Sequence, residues 1–330
     1  MSGRNTERGD PYSRVTAKII ADLEKGVRTW LRPWNAEHAA GCISRPLRAN
    51  GEAYRGINVV MLWAAAVEAG HSCPTWMTYR QAQSVGAQVR KGERGSLVVY
   101  ADRIRREEID EATGETAERE IPFMRAYTVF NCEQIDDLPA RFRAPAAAPA
   151  LSAAERIARA EAFFAALGAD IRHGGAHAWY AIHSDRVQLP PFETFRDAGS
   201  YYATLAHEIT HWTCHPSRLD RDLGRQRMGD EGYARDLGRQ RMGDEGYARE
   251  ELVAELGAAF LAADLGLDLE PREDHAGYIA SWLEVLKQDK RAIFQAAAHA
   301  QRAADYLHGR QPRAVEEETA ERAASTGRES

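Results

Sequence analysis

His207-Glu208-Ile209-Thr210-His211 is a stretch of this 330-residue sequence whose residue types and spacing spell out a reaction. Residues four apart on an α-helix share a face, so the two imidazoles can address a single ion. Glu208, one position along, can reach a water on that ion. A zinc ion there acidifies its bound water and polarises a peptide carbonyl, and the glutamate takes the proton as general base and passes it to the leaving amine. Manganese and cobalt suit a two-histidine, one-carboxylate set as well.

A catalytic zinc needs a third protein ligand and an open fourth position. Glu250-Glu251-Leu252-Val253-Ala254-Glu255 offers carboxylates at helical spacing, with Ala258 and Ala259 near the same face. Carboxylates on an inward face need a cation or hydrogen-bond donors. The expected assignment makes Glu251 the ligand, while Glu255 accepts the other ring N–H of a ligand histidine. The reverse assignment fits the same spacing, and Glu250 is a third choice that also reads as a solvated acidic residue at a helix start. His215 and His275 are further candidates for ligation, and Tyr201, Tyr202 and Tyr278 for donation to an oxyanion.

Helices must hold these groups. Tyr201 to Trp212 reads as the one carrying the histidines, and Glu250 to Leu265 as the one carrying the carboxylates. Ala153–Leu167, Ala276–Leu286 and Lys290–Leu307 are further helices, with strand-like pieces at Ala178–Ile182 and Arg186–Leu189. Upstream, residues 12–31, Ile57–Ala69 and Thr78–Ser84 read as helices. Ser96–Tyr100 and Phe123–Phe130 read as strands around a charged segment whose Ala112-Thr113-Gly114 is a hairpin tip. The fold class is α+β in two domains. An α+β domain spans 1–138, a Pro/Ala-rich linker 139–152, a mostly helical domain 153–308 and a disordered tail 309–330.

Arg221 to Ala234, RDLGRQRMGDEGYA, is repeated without change as Arg235 to Ala248. Such a copy is too short for a solenoid. It reads as a duplication in a loop, where added length costs little, lengthening the gap between the two metal-binding helices without touching either.

Hydrophobic residues make up 44% and charged residues 28%, ordinary for a soluble protein. No apolar run reaches the roughly 18 residues of a membrane span, and the polar N-terminus has no secretory core, so a cytoplasmic location is expected. The cysteines, Cys42, Cys73, Cys132 and Cys214, form no C-x-x-C pair, which argues against a cysteine-built metal site or a disulfide framework. The net charge of -6 is uneven: residues 1–100 carry +6 and the remainder -12. A basic front on an acidic chain suits a polyanion partner. Non-specific single-strand binding needs cations along a backbone track and aromatic faces for bases. The front half interleaves Trp30, Trp34, Tyr54, Trp63, Trp76, Tyr79 and Tyr127 with Arg32, Arg45, Arg48, Arg55, Arg80, Arg90, Lys91, Arg94 and Arg125. Trp76 with Tyr79 and Arg80 is the best cluster, whereas Trp63, inside an apolar helix, reads as core.

YYATLAHEITHWTCHPSRLDR with YAREELVAELGAAFLAADLG resembles the zincin-type metallopeptidase domain of ArdC antirestriction proteins. Val15–Ile20, Arg32-Pro33-Trp34, Tyr54–Asn58, Trp76–Ala82, Val89–Glu93 and Val129-Phe130-Asn131 resemble that family's single-stranded-DNA-binding domain. The likeness runs over about residues 12–308. It departs from the family at Cys214, where glycine is frequent, and in the duplication. A similar front domain occurs in some plasmid primases, and no room for a primase domain is expected here. The resemblance implies protection of incoming plasmid DNA during conjugation by non-specific single-strand binding. Arg32, Trp34, Tyr54, Arg55, Trp76, Tyr79, Arg80, Gln81, Arg90 and Lys91 are the expected DNA contacts, and a protein or peptide the substrate of the peptidase site. Two rival functions fit the same residues: a regulatory metallopeptidase that cleaves a DNA-associated protein, and a DNA-coating protein with a non-catalytic metal site.

Overall fold

The computed structural model describes residues 10–25, 30, 44–109, 116–143, 152–221, 245–267 and 276–312. The front half opens on α1 (Pro11–Glu24), where the side chain of Asp10 accepts from the Tyr12 N–H and Val15, Ile19 and Leu23 are buried. After β1 (Leu47–Arg48) comes α2 (Ile57–Ala69), an almost wholly apolar helix stopped by Gly70 at φ 72°, a left-handed C-cap that glycine adopts without a Cβ penalty. Then follow β2 (Thr75–Thr78), α3 (Tyr79–Ser84), β3 (Gln88–Val89), β4 (Ser96–Ile109), β5 (Thr116–Asn131), β6 (Ile135–Asp136) and α4 (Ala140–Arg143).

The main sheet runs β1-β2-β5-β4, with β1 parallel to β2 and the other pairs antiparallel. β4 and β5 form one long hairpin in register from Ser96↔Val129 to Ile109↔Thr116. Its expected tip at 112–114 lies outside the described residues. β3 pairs with β6 as a separate ribbon. These two-residue strands are too short to give a period-2 signal, so the sequence did not announce them. The linker expectation needs correction at its start. Leu138 is buried beside Phe142, and Ala140–Arg143 is a helical turn that closes a small core with Cys73, Met77, Val89 and Ile135.

The second half comprises α5 (Ala153–Ala165), β7 (Asp170–His173), β8 (Trp179–Ala181), β9 (Arg186–Leu189), α6 (Ala198–Trp212), α7 (Glu245–Leu265), α8 (Ala276–Gln288) and α9 (Ala292–Gly309). Ser152 and Glu155 form a reciprocal capping box at α5. The three strands order as β7-β9-β8. β7, Asp-Ile-Arg-His, has a single apolar residue and escaped the pattern reading. α7 is buried along most of its length and packs against both α6 and α9. The tail expected to be disordered from 309 lies outside the described residues beyond 312.

The two domains pack on one another. One apolar cluster runs from Val15, Ile19 and Trp63 to Phe260, Trp282 and Leu307. Thr16 donates to the Lys290 carbonyl at 2.7 Å, and the Trp63 and Phe260 rings meet edge-on at 6.0 Å. Arg45 grips both oxygens of Asp264 at 2.8 Å each. No described helix is long and apolar enough to cross a membrane.

Candidate metal centre

Asp197 starts α6: its side chain accepts at 2.7 Å from the N–H of Ser200, three residues on, the N-cap arrangement. The helix then buries every residue from Tyr201 to Trp212, polar ones included. His207, Glu208 and His211 are all among them. α7 lies against α6 and brings Glu250, Glu251 and Glu255, each also buried. The close approach of the helices depends on Gly257. A Cβ there would stand 2.4 Å from Thr210 Cγ2 and 2.6 Å from Thr210 Oγ1, inside contact distance.

His207, His211 and Glu251 converge, each offering one donor atom within 4.8 Å of the others. The two Nε2 atoms are 3.2 Å apart. Glu251 Oε2 is 3.4 Å from His207 Nε2, and Glu251 Oε1 is 3.4 Å from His211 Nε2. Ligands about 2.0–2.1 Å from a common tetrahedral centre stand about 3.3–3.4 Å from one another. The spacing and chemistry of the donor set therefore fit a divalent ion. Glu255 Oε1 lies 3.7 Å from His207 Nδ1, the side on which it was expected but beyond hydrogen-bond length.

Charge organises the cluster. Burial pulls the His211 pKa down, but the carboxylates of Glu251 and Glu250 outweigh it and push it up to about 10. Burial raises Glu251, yet His211 and His207 hold it well below the usual carboxylate range. Burial likewise raises Glu250, and the Arg221 guanidinium outweighs this and holds it at about 2.

The last value carries a sign. A carboxyl depressed in the folded state contributes stability that is present above its unfolded pKa of about 4.3 and lost as pH falls through about 2. The metal-free protein is therefore expected to lose stability across that window. The Glu250→Gln variant should show a shallower loss there in denaturant titrations at stepped pH.

Glu250 corrects the sequence expectation. It is neither solvated nor at a helix start, because α7 begins five residues earlier, at Glu245. Its Oε1 lies 3.3 Å from His211 Nδ1, and both oxygens receive hydrogen bonds from Arg221. The duplication is corrected too, since it touches both helices. Arg221, its first residue, holds Glu250, and Glu245–Ala248, its last four, form the first turn of α7. The sequence clue was the unbroken run EGYAREELVAEL, with no capping residue at 248–250 to start a helix there.

The other candidates fall elsewhere. His215 Nδ1 accepts from the Ser217 N–H at 3.1 Å, a local turn bond. His275 lies outside the described residues. Tyr201 Oη is 2.9 Å from His173 Nε2, and Tyr202 stacks on Phe164. Cys214 is buried with an ordinary backbone, since among the described residues only Asp137, Asp185 and Asp220 are non-glycines at positive φ. The turn after α6 therefore does not require glycine.

The expected DNA contacts divide sharply. Trp76 is 1% exposed and sits in β2, so the helical spacing invoked for Trp76, Tyr79 and Arg80 does not apply: only the latter two lie on α3. Tyr54 is buried, with the Arg48 guanidinium 5.5 Å from its ring centre. Neither ring can stack on a base without leaving the core. Arg55 is ion-paired with Asp305. Gln81 spends its Oε1 on the Thr78 N–H at the α3 cap. Trp63 is core, as read.

Tyr79 (41% exposed), Arg80, Arg90 and Lys91 are at the surface. Tyr79, Gln88, Arg90, Lys91 and Phe130, together with the acidic Glu93 and Asp136, line a depression of about 630 Å³. Arg90 there is paired with Glu93 at 2.8 Å. Exposed Tyr100 lies opposite Arg125 on the hairpin, and exposed Tyr127 lies on the same face opposite Val98. Tyr100 had not been singled out. Arg32 and Trp34 lie outside the described residues.

Comparisons with known proteins match this layout. Residues 9–130 fit the family described as the N-terminal domain of anti-restriction factor ArdC. Residues 158–237 and 234–299 fit a zincin-like metallopeptidase family in two stretches that overlap inside the repeat. The chain is 46% identical over 306 residues to protein y4eC of Sinorhizobium fredii, covering 92% of each. It is 37% identical over 327 residues to an Escherichia coli DNA primase TraC, covering 94% of this chain but 28% of the primase. That likeness thus extends beyond the front domain. The crystal structure of metal-free antirestriction protein ArdC from plasmid R388 superposes with a TM-score of 0.73 at 47% identity, covering 92% of this chain and 98% of that one. The Mn(II)-bound structure gives 0.71 at 44%, covering 93% and 100%.

Proposed function

The chain belongs to the ArdC antirestriction family, and from that premise we propose that it protects incoming plasmid DNA during conjugation. In this reading the front domain binds single-stranded DNA without sequence choice, and the rear domain carries a metal-dependent peptidase centre. The observation that carries the DNA reading is the exposed grouping of Tyr79, Arg90 and Lys91 at one depression, with exposed Arg80 beside Tyr79 on α3. An aromatic face takes a base of any identity, and the cations track the backbone. Tyr100, Arg125 and Tyr127 extend the same chemistry along the hairpin.

At the rear, His207, His211 and Glu251 would hold the ion, with zinc the expected one. Manganese is supported by its presence in the R388 relative. A divalent ion in such a set supplies an acidified water and a polarised carbonyl. Glu208, buried on the adjacent helix position, is the residue assigned to take that proton and return it to the leaving nitrogen. The buried acid–imidazole cluster also favours a second reading, in which DNA is an address and the peptidase cuts a DNA-associated protein.

Fluorescence anisotropy of a labelled oligonucleotide tests the first reading. Single strands are expected to bind more tightly than duplex, and binding should weaken with salt at a slope of about 0.7 per phosphate neutralised. Tyr79→Ala should weaken binding about 5- to 150-fold, the range of about 1–3 kcal/mol for one stacked base, and Lys91→Ala should flatten the salt slope. No binding, or equal binding to duplex with no loss in these variants, would sink the front-domain reading.

A further inference from the structure

We propose that Glu250, clamped by Arg221, is a positioning residue of the metal centre. Its carboxylate fixes the ring of His211 so that Nε2 faces the ion. The inference rests on the metal-centre reading above and assigns two residues beyond the ligand set.

The geometry is complete. Glu250 Oε1 is 3.3 Å from His211 Nδ1. Arg221 Nη2 donates to the same oxygen at 2.6 Å, and Arg221 Nε donates to Oε2 at 2.9 Å. The remaining donors of Arg221 return to the turn that carries the histidine. Nη2 reaches the Thr210 carbonyl and Nη1 reaches Thr213 Oγ1, both at 3.0 Å. Thr210 immediately precedes His211, and Thr213 follows two residues later. One guanidinium therefore ties three pieces together: the last turn of α6, the segment after it, and the carboxylate on α7. Arg221 and Glu250 are both almost wholly buried. A cation among the last carbonyls of a helix is also placed where the helix dipole favours it.

This arrangement does something for His211 that a remote salt bridge would not. The nitrogen of an imidazole that is free to ligate is set by the hydrogen bond the other nitrogen makes. With Nδ1–H directed at Glu250, Nε2 is the nitrogen turned toward His207 Nε2, 3.2 Å away, and Glu251, and the one left to ligate when it gives up its proton. Outer carboxylates of this kind typically account for 10- to 100-fold in metal affinity. The corresponding outer contact of His207, to Glu255, is longer at 3.7 Å.

Calorimetric titration of Mn(II) and Zn(II) into the full chain tests the proposal. The variants are E250Q and the R221M/E250M pair, which fills the same space without leaving a lone buried charge. Both are measured well below their melting temperatures. Wild type is expected to bind one ion, E250Q to bind about tenfold more weakly, and R221M/E250M 10- to 100-fold more weakly. Should E250Q fail to fold, the paired variant decides. A purely structural salt bridge would lower the melting temperature and leave the dissociation constant unchanged, and that result overturns the proposal. H211A separates the two levels. If wild type binds no ion, or H211A binds as tightly as wild type, the metal-centre reading itself fails. If H211A abolishes binding while both Glu250 variants match wild type, only the positioning role fails.

Discussion

Glu208→Gln is expected to retain its metal and its fold while peptide hydrolysis falls by about 10²- to 10⁴-fold, the usual weight of a positioned general base. Glu208 adjoins His207 on α6 but is not one of the three groups that converge, so the amide leaves that set intact. Metal content and melting temperature check the first half. The second half is best read in cells, as survival of incoming plasmid DNA in a recipient with an active restriction system. If the variant protects as well as wild type, hydrolysis is not what protects, and the centre serves a DNA-coating protein. If protection disappears while single-strand affinity is unchanged, the peptidase is the effector and DNA the address. Loss of metal along with activity would instead make Glu208 part of the binding set and contradict the role assigned to it.

Gly257→Ala is expected to destabilise the fold by about 1–3 kcal/mol, the range for overpacking a close contact. Metal affinity should fall by at least the 10-fold that disturbing an outer ligand contact costs. The reason is specific: the new methyl would meet Thr210 at 2.4 and 2.6 Å, two atoms that cannot both yield. Thr210 precedes His211, so pushing α6 from α7 moves a histidine away from Glu251. Thr210→Ala removes both clashing atoms. The double variant should therefore recover much of the loss, a coupling that a denaturation and metal-titration cycle measures directly. If Gly257→Ala is as stable as wild type and binds metal equally, the spacing of these helices is not set where the structure puts it.

How much of this was legible beforehand depends on the range of the interaction involved. The histidine pair, its helix and the candidate carboxylates were legible because a 3.6-residue period is written locally, and four-residue spacing fixes a shared face. α2 was read to its end residues from its apolar run, and the structure shows Gly70 as its left-handed stop. β1, β2, β3, β6 and β7 were not, because strands of two to four residues are too short to carry a period.

Among the front-half aromatics, sequence gave types but not burial. Trp76 and Tyr79 look alike on paper, yet β2 ends between them, so one ring enters the core and the other faces water. The same holds at the metal centre. Sequence by itself determined that two imidazoles and a glutamate share one helix and that acids follow on another. Only the tertiary structure decided which acid does what. Glu251 meets both imidazoles from across the interface, while its neighbour Glu250 turns to Arg221, a residue 29 positions away at the head of a repeat that read as a spacer. Local propensity fixes which side of a helix a residue occupies. A buried charge, however, takes its role from whichever partner the fold delivers to it, because burial is tolerated only where that partner arrives.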